Sequence, residues 1–252
     1  AIIGLWFGSF ATALIYRIPR DIPWIYDRNS PGNKTCRSAC PSCHATLTTL
    51  DLIPLFSWLC SKGKCRHCGA PVSIHYPAIE FFTMLAVLIQ LYAWGMSSVS
   101  IPVLMAVPFL TAALVIDWDH MILPDDTNIA LTVLAVIFVF LRVHTGGGGL
   151  IDPLIAAVLL TGLLCLVSFI LSKWKGRQAL GLGDLKFLPA AGLFIGVEAL
   201  PTYLALSGGL GVLTALLRRK SPEKQTFPFG PALIISLYIH VFLTGLGFDY
   251  KW

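Results

Sequence analysis

The sequence predicts an all-α polytopic membrane protein of about eight transmembrane helices with one small cytoplasmic zinc-binding loop domain. Three observations predict it. Of 252 residues, 56% are hydrophobic and only 12% charged. A soluble domain carries about 25% charged residues, so this chain has too little polar surface to cover a water-soluble globule. The apolar residues gather in runs of roughly spanning length. The basic residues also sort to one side when those runs are taken as successive crossings.

In chain order the runs cover about 1–16, 76–95, 99–116, 126–142, 150–171, 184–199, 201–217 and 227–246. This divides the chain into a first helix (1–16), a cytoplasmic loop domain (17–75) and a seven-helix membrane domain (76–252). No basic residue precedes the first run and no small-residue cleavage site follows it, so it reads as a helix and not a cleavable signal. It stops at "YRIPR", as a helix does at a basic membrane face. Because the chain opens in this run without a methionine, residues are expected to precede Ala1.

With the 17–75 loop inside, 16 of the 18 Lys and Arg residues are inside, and only Arg142 and Lys251 are outside. The positive-inside rule then puts the N-terminus, the "GGGG" loop at 146–149 and the C-terminus outside. A single miscounted helix would scatter these charges. The net charge of +5 reflects this topology and contact with an anionic inner leaflet of the lipid bilayer. It does not point to nucleic acid, since no basic-aromatic interleaving accompanies it.

The 17–75 loop holds two CxxC turns, Cys40-Pro-Ser-Cys43 and Cys65-Arg-His-Cys68, with 21 residues between them. Four thiolates in two such turns suit tetrahedral Zn²⁺. A reducing cytoplasm favours metal over disulfides, and a loop this short needs a staple. Redox cysteines are the alternative. Four thiolates leave no open coordination position, so the zinc is read as structural. Cys36 and Cys60 are spectators on this reading, His44 and His67 are not needed as ligands, and Cys165 is a small packing residue within a helix.

Acidic residues stand where hydrocarbon begins. Asp184 follows Gly181-Leu-Gly183, and Asp117 directly follows "LTAALVI". A carboxylate at the bilayer centre costs about 2.5–3.5 kcal/mol on insertion scales and less at the boundary, so burial alone leaves a helix cap or ion pair open for each. Asp119 reads as solvated, and helix capping accounts for at least one of Asp125 and Asp126. Two aspartates at the same membrane face raise the odds of a pair. Two close carboxylates cannot both ionise easily, so one keeps a proton while the other activates water, as peptide hydrolysis requires. No Ser-His-Asp or Cys-His set rivals them, and His120 has no evident nucleophile. Gly181 and Gly183 let the backbone come close to a peptide.

These residues resemble a known family. "GLGDLKFLPAAGLFIG" is similar to the GxGD signature of intramembrane aspartyl proteases, and "VIDWDHMILPD" resembles the partner motif of type IV prepilin peptidases. "GSFATALIYRIP", "IPLFSWL", "KCRHCGAPVSIHYPAIE" and "FPFGPAL" extend the likeness, in order, over nearly the whole chain. The resemblance implies a bacterial inner-membrane enzyme that removes the leader of type IV prepilins or type II secretion pseudopilins. Such enzymes cut after a glycine on the cytoplasmic side, and many N-methylate the new terminus with S-adenosylmethionine. The catalytic pair it implies is Asp117 and Asp184, and it places methyl transfer near the loop, around Gly63 and Lys64. Two positions depart from the family pattern: Thr12 stands where an asparagine is usual, and His75 where many members have arginine.

Glu80 reads as an interhelical hydrogen-bonding or snorkelling acid, or as a contact for the basic leader or an orienter of a site residue. Lys186 reads as snorkelling to the inner face or as a charge partner of a site carboxylate, and "PFGP" at 228–231 as a turn opening the last helix or a cleft lining. Two other functions compete. A proton-coupled membrane transporter using the same aspartates is disfavoured because no chain of carboxylates crosses the bilayer and no repeat is evident. A zinc scaffold without chemistry leaves both aspartates unemployed.

Overall fold

The computed structural model describes residues 1–24, 38–176, 180–218 and 228–248. Cys36 and the basic residues Arg28, Lys34, Arg37, Arg177, Arg219, Lys220, Lys224 and Lys251 lie outside the described residues. The chain forms two compact units, Ala1–Leu88 and Ile89–Trp252, with the division falling inside one helix.

The first unit contains α1 (Ile2–Arg17), the short α2 (Phe56–Cys60) and the start of α3 (His75–Trp94). Gly4 and Gly8, one helical turn apart, let α1 press its backbone on α3. A Cβ on Gly8 would lie 2.5 Å from the Glu80 Cα, and one on Gly4 would lie 3.0 Å from the Met84 Cα. Between α1 and α3 the described loop holds no strand, only isolated bridges pairing Ala39 with Thr46 and Lys64 with Pro71. Glu80 is half-buried and accepts the Leu55 N–H at 2.8 Å. Of the roles open to it, the structure shows this bond to the loop. Leu55 holds a left-handed φ of 61°, so the loop is turned sharply where Glu80 grips it.

The second unit contains the end of α3, then α4 (Ser100–His120), α5 (Asp125–His144), α6 (Ile151–Lys175), α7 (Leu182–Ile195), α8 (Leu200–Arg218) and α9 (Gly230–Gly245). Its centre is α7, which packs on α5, α6 and α9, while α4 packs on α5 and α9. Gly192 brings α7 against α6, where a Cβ would lie 2.5 Å from the Ala157 Cα. Trp94 seats the end of α3 by stacking edge-on against Phe138 and donating its indole N–H to the Val241 carbonyl at 3.0 Å.

Among the described residues, six helices are long and apolar enough to cross a membrane: α1 with its following turn, α3, α4, α5, α6 and α8. α9 is apolar but shorter, and α7 has only 14 residues. Large apolar side chains remain exposed along α6, among them Val158, Phe169 and Ile170. Such a continuous apolar surface belongs in lipid. The protein is a polytopic helical membrane protein with a four-cysteine loop. Cys165 corrects the sequence reading: it is exposed on this surface of α6 and does not pack inside.

Candidate functional site

The four cysteines meet because two copies of one turn are folded alike. In the first, the Cys40 N–H donates to Ala45 O, His44 N–H to Cys40 O, and Leu47 N–H to Ser38 O. In the second, Cys65 N–H donates to Ala70 O, Gly69 N–H to Cys65 O, and Val72 N–H to Gly63 O. His44 (φ 56°) and Gly69 (φ 73°) take the same left-handed place after the second cysteine of each turn. All four sulfurs lie within 4.8 Å of one another, with Cys40 and Cys68 at 3.9 Å. Tetrahedral Zn–S bonds of about 2.3 Å require sulfurs about 3.8 Å apart, so the cluster has the spacing and donor chemistry of a metal site. The N–H groups of Cys43 and Ser42 draw the Cys40 thiol down to about 6, toward the thiolate a metal needs.

Asp51 clamps one turn to the other. It accepts the Thr48 hydroxyl at 2.7 Å and the Thr48 N–H at 3.0 Å, and pairs with Arg66 at 3.1 Å. These bonds, with the Thr48 hydroxyl foremost, hold its carboxyl below the ordinary range. Gly63 (φ 67°) lies under the Trp58 ring, 2.9 Å from the place of a Cβ, and Trp58 donates to Val72 O at 3.0 Å. Beside this layer is a cavity of about 610 Å³, lined among others by Thr12, Tyr16, Trp58, Lys64, Tyr76 and Glu80. Thr12 therefore faces a cavity, while His75 is exposed at the start of α3.

In the second unit, Asp117 occupies the last turn of α4 and is 4% exposed, whereas Asp119 is exposed. The helix ends on Met121, whose left-handed φ of 57° turns the chain into Ile122–Pro124. Asp184 lies in the first turn of α7, 8% exposed, close enough to Asp117 for their charges to bear on each other. It stands three residues after the N-cap Gly181, whose N–H reaches back to its carboxylate.

Gly183 has a packing role of its own. A Cβ on Gly183 would lie 2.8 Å from the Leu123 carbonyl oxygen, so the glycine lets α7 close on the α4–α5 connection. Gly181 has an ordinary φ of −65° and is exposed. Gly230, in "PFGP", opens α9 and faces Asp117: a Cβ there would lie 2.6 Å from Oδ2 and 2.5 Å from the Leu123 Cδ1.

Other charges are placed differently from expectation. Lys186 pairs with Asp125 at 2.6 Å, both exposed, and partners neither buried aspartate. Pro124 is the N-cap of α5, so Asp125 and Asp126 lie in its first turn without a side-chain capping bond. They still favour the helix dipole. Sequence reading missed Tyr203, which is fully buried, within reach of the Asp184 charge, and donates its hydroxyl to Leu233 O at 3.2 Å. A phenol within an apolar run is the signal, because it must find a partner when buried.

Residues 2–94 match the bacterial peptidase A24 N-terminal domain, and residues 104–216 match the type IV leader peptidase family. The chain is 34% identical to a prepilin leader peptidase/N-methyltransferase of Neisseria gonorrhoeae over 95% of its own length and 87% of that protein's. A Vibrio cholerae protein of the same name is 31% identical, over 96% of this chain and 94% of the relative. A type 4 prepilin-like proteins leader peptide-processing enzyme of Escherichia coli O78:H11 is 30% identical, over 96% and 92%. No solved structure matches the chain.

Proposed function

The chain belongs to the type IV leader peptidase family, and on that premise we propose that it cleaves the leaders of type IV prepilins or type II secretion pseudopilins with Asp117 and Asp184 as its catalytic pair. One observation carries the reading: two aspartates from helices far apart in the sequence are both buried and within reach of each other's charge. With one carboxyl ionised and its neighbour protonated, the ionised group takes a proton from the attacking water. The protonated group donates to the scissile carbonyl oxygen as the tetrahedral carbon forms. A proton then passes to the departing amine and the C–N bond breaks. Gly230 lies beside the Asp117 carboxylate with no room for a Cβ between them.

The same enzyme N-methylates the product, as the names of its relatives indicate. S-adenosylmethionine supplies the methyl group. The cavity of the first unit fits that molecule in size and in chemistry. Tyr16, Trp58 and Tyr76 offer aromatic faces for adenine or the sulfonium. Glu80 would hold an ammonium or ribose hydroxyl, and Lys64 a carboxylate. Zn²⁺ in the four-cysteine cluster would be structural. The enzyme works in the bacterial inner membrane with its N-terminus outside and the cysteine loop in the cytoplasm, a placement supported by the one-sided basic residues.

The experiment is cleavage of a prepilin-type substrate in liposomes, with mass analysis of the product. Wild type is expected to cut after the glycine and add one methyl group. Asp117→Asn and Asp184→Asn are expected to be folded and inert, and full processing by either variant would overturn the assignment.

A further inference from the structure

Asn128 is the fourth residue of α5, 3% exposed, in a chain that had every reason to place an apolar residue there. Its amide Nδ2 donates to the Gly183 carbonyl at 3.2 Å. A carbonyl only accepts, so the nitrogen must face it, and Oδ1 is the atom left over. That oxygen is buried without a hydrogen-bond partner among the described residues. A buried acceptor with no donor is a liability to folding. Nor does the Gly183 carbonyl need the bond, for it lies inside α7, where the helix ladder already employs it. A residue that weakens the fold to make an optional bond calls for another explanation.

Its neighbours supply one. Leu123 is touched by Gly183 on one side and by Gly230 on the other, and Gly230 also touches Asp117. Neither glycine has room for a Cβ, so α7 and the start of α9 both close on Leu123. Packing of α7 on α5 holds the two elements together in general. The Asn128–Gly183 hydrogen bond adds a directional tie, because it joins the residue before Asp184 to the element that follows Leu123. We propose that Asn128 is a positioning residue of the peptidase reaction, holding the Asp184 turn against Leu123 and so fixing the separation of the two carboxylates. The inference rests on the reading of Asp117 and Asp184 as the catalytic pair.

Asn128→Leu is nearly isosteric and removes both the tie and the unsatisfied oxygen. Misplacement of a catalytic group by about 1 Å costs roughly a hundredfold in rate. The variant is therefore expected to lose between about tenfold and a hundredfold in kcat, with KM for prepilin within about twofold and a melting temperature equal to or above that of wild type. Asn128→Ala is measured beside it, with Asp117→Asn as the control. If Asp117→Asn still cleaves, the catalytic pair itself is wrong. If it is inert while both Asn128 variants turn over like wild type, only the positioning role falls. If both Asn128 variants unfold, or if KM rises while kcat holds, Asn128 is a structural or substrate-binding residue and the proposal is likewise overturned.

Discussion

The four-cysteine cluster and the aspartate pair gather the same kind of resource, several acidic groups that would repel one another when ionised, by opposite means. The cysteines sit in two short turns that each close on their own backbone within ten residues, 38–47 and 63–72. The aspartates come from the end of α4 and the start of α7, brought together by glycines that let helices and connections touch. The first arrangement is local and polar, and a bound cation would complete it. The second is long-range and steric, held by burial and by close contact between helices and connections. One site should therefore answer to its ligand, and the other to volume.

That contrast can be tested, beginning with the strongest effect. Asp184→Asn should lower cleavage by roughly a thousandfold or more, as loss of a group that acts in concert with another does, without changing metal content. Single-turnover assays and elemental analysis on the same preparation check both. Gly230→Ala adds one methyl group beside Asp117 and should lower kcat by about a hundredfold while the fold persists. Retained activity would show that Asp117 is not held by contact. Cys43→Ser should release the metal and abolish methyl transfer, with a smaller loss of leader cleavage. Equal loss of both activities would erase the distinction between the two sites.

The smallest effect is expected at Asp51. It is an exposed-loop clamp, so Asp51→Asn should cost no more than about 1 kcal/mol, seen as faster metal release to a chelator. Its folded carboxyl lies below the ordinary value of 3.8. The clamp's contribution is therefore complete above that value and is lost only as pH falls through the lower folded one. Across neutral pH the release rate of wild type and variant should differ by a constant factor.

The sequence made the helical membrane class and the four-cysteine cluster legible for a physical reason. Apolar runs of spanning length and paired CxxC turns are local signals, complete within thirty residues or so. The same holds for Asp117 and Asp184 as candidates, since a carboxylate at the edge of an apolar run stands out wherever it is. What the sequence could not show was who their neighbours are. Leu123 looks like any leucine, yet Gly183 and Gly230 both close on it. Lys186 is two residues from Asp184 but reaches Asp125 instead, because side chains two apart on a helix point to different faces. Cys165 was read inward, but α6 turns that face outward, and an amphipathic pattern is absent from a helix apolar all round.

The brevity of α7 has a consequence for the cell. Its 14 residues rise about 21 Å, against about 30 Å of hydrocarbon in a bilayer. Asp184 lies in its first turn, next to Gly181 and Leu182, which are exposed. That end is the exposed one, and the remainder of α7, from Phe187 to Ile195, is packed almost without a break in apolar side chains. Hydrolysis at such a site needs no aqueous path from one surface to the other. A leader peptidase built this way would hydrolyse a bond at the edge of a membrane without opening a leak through it.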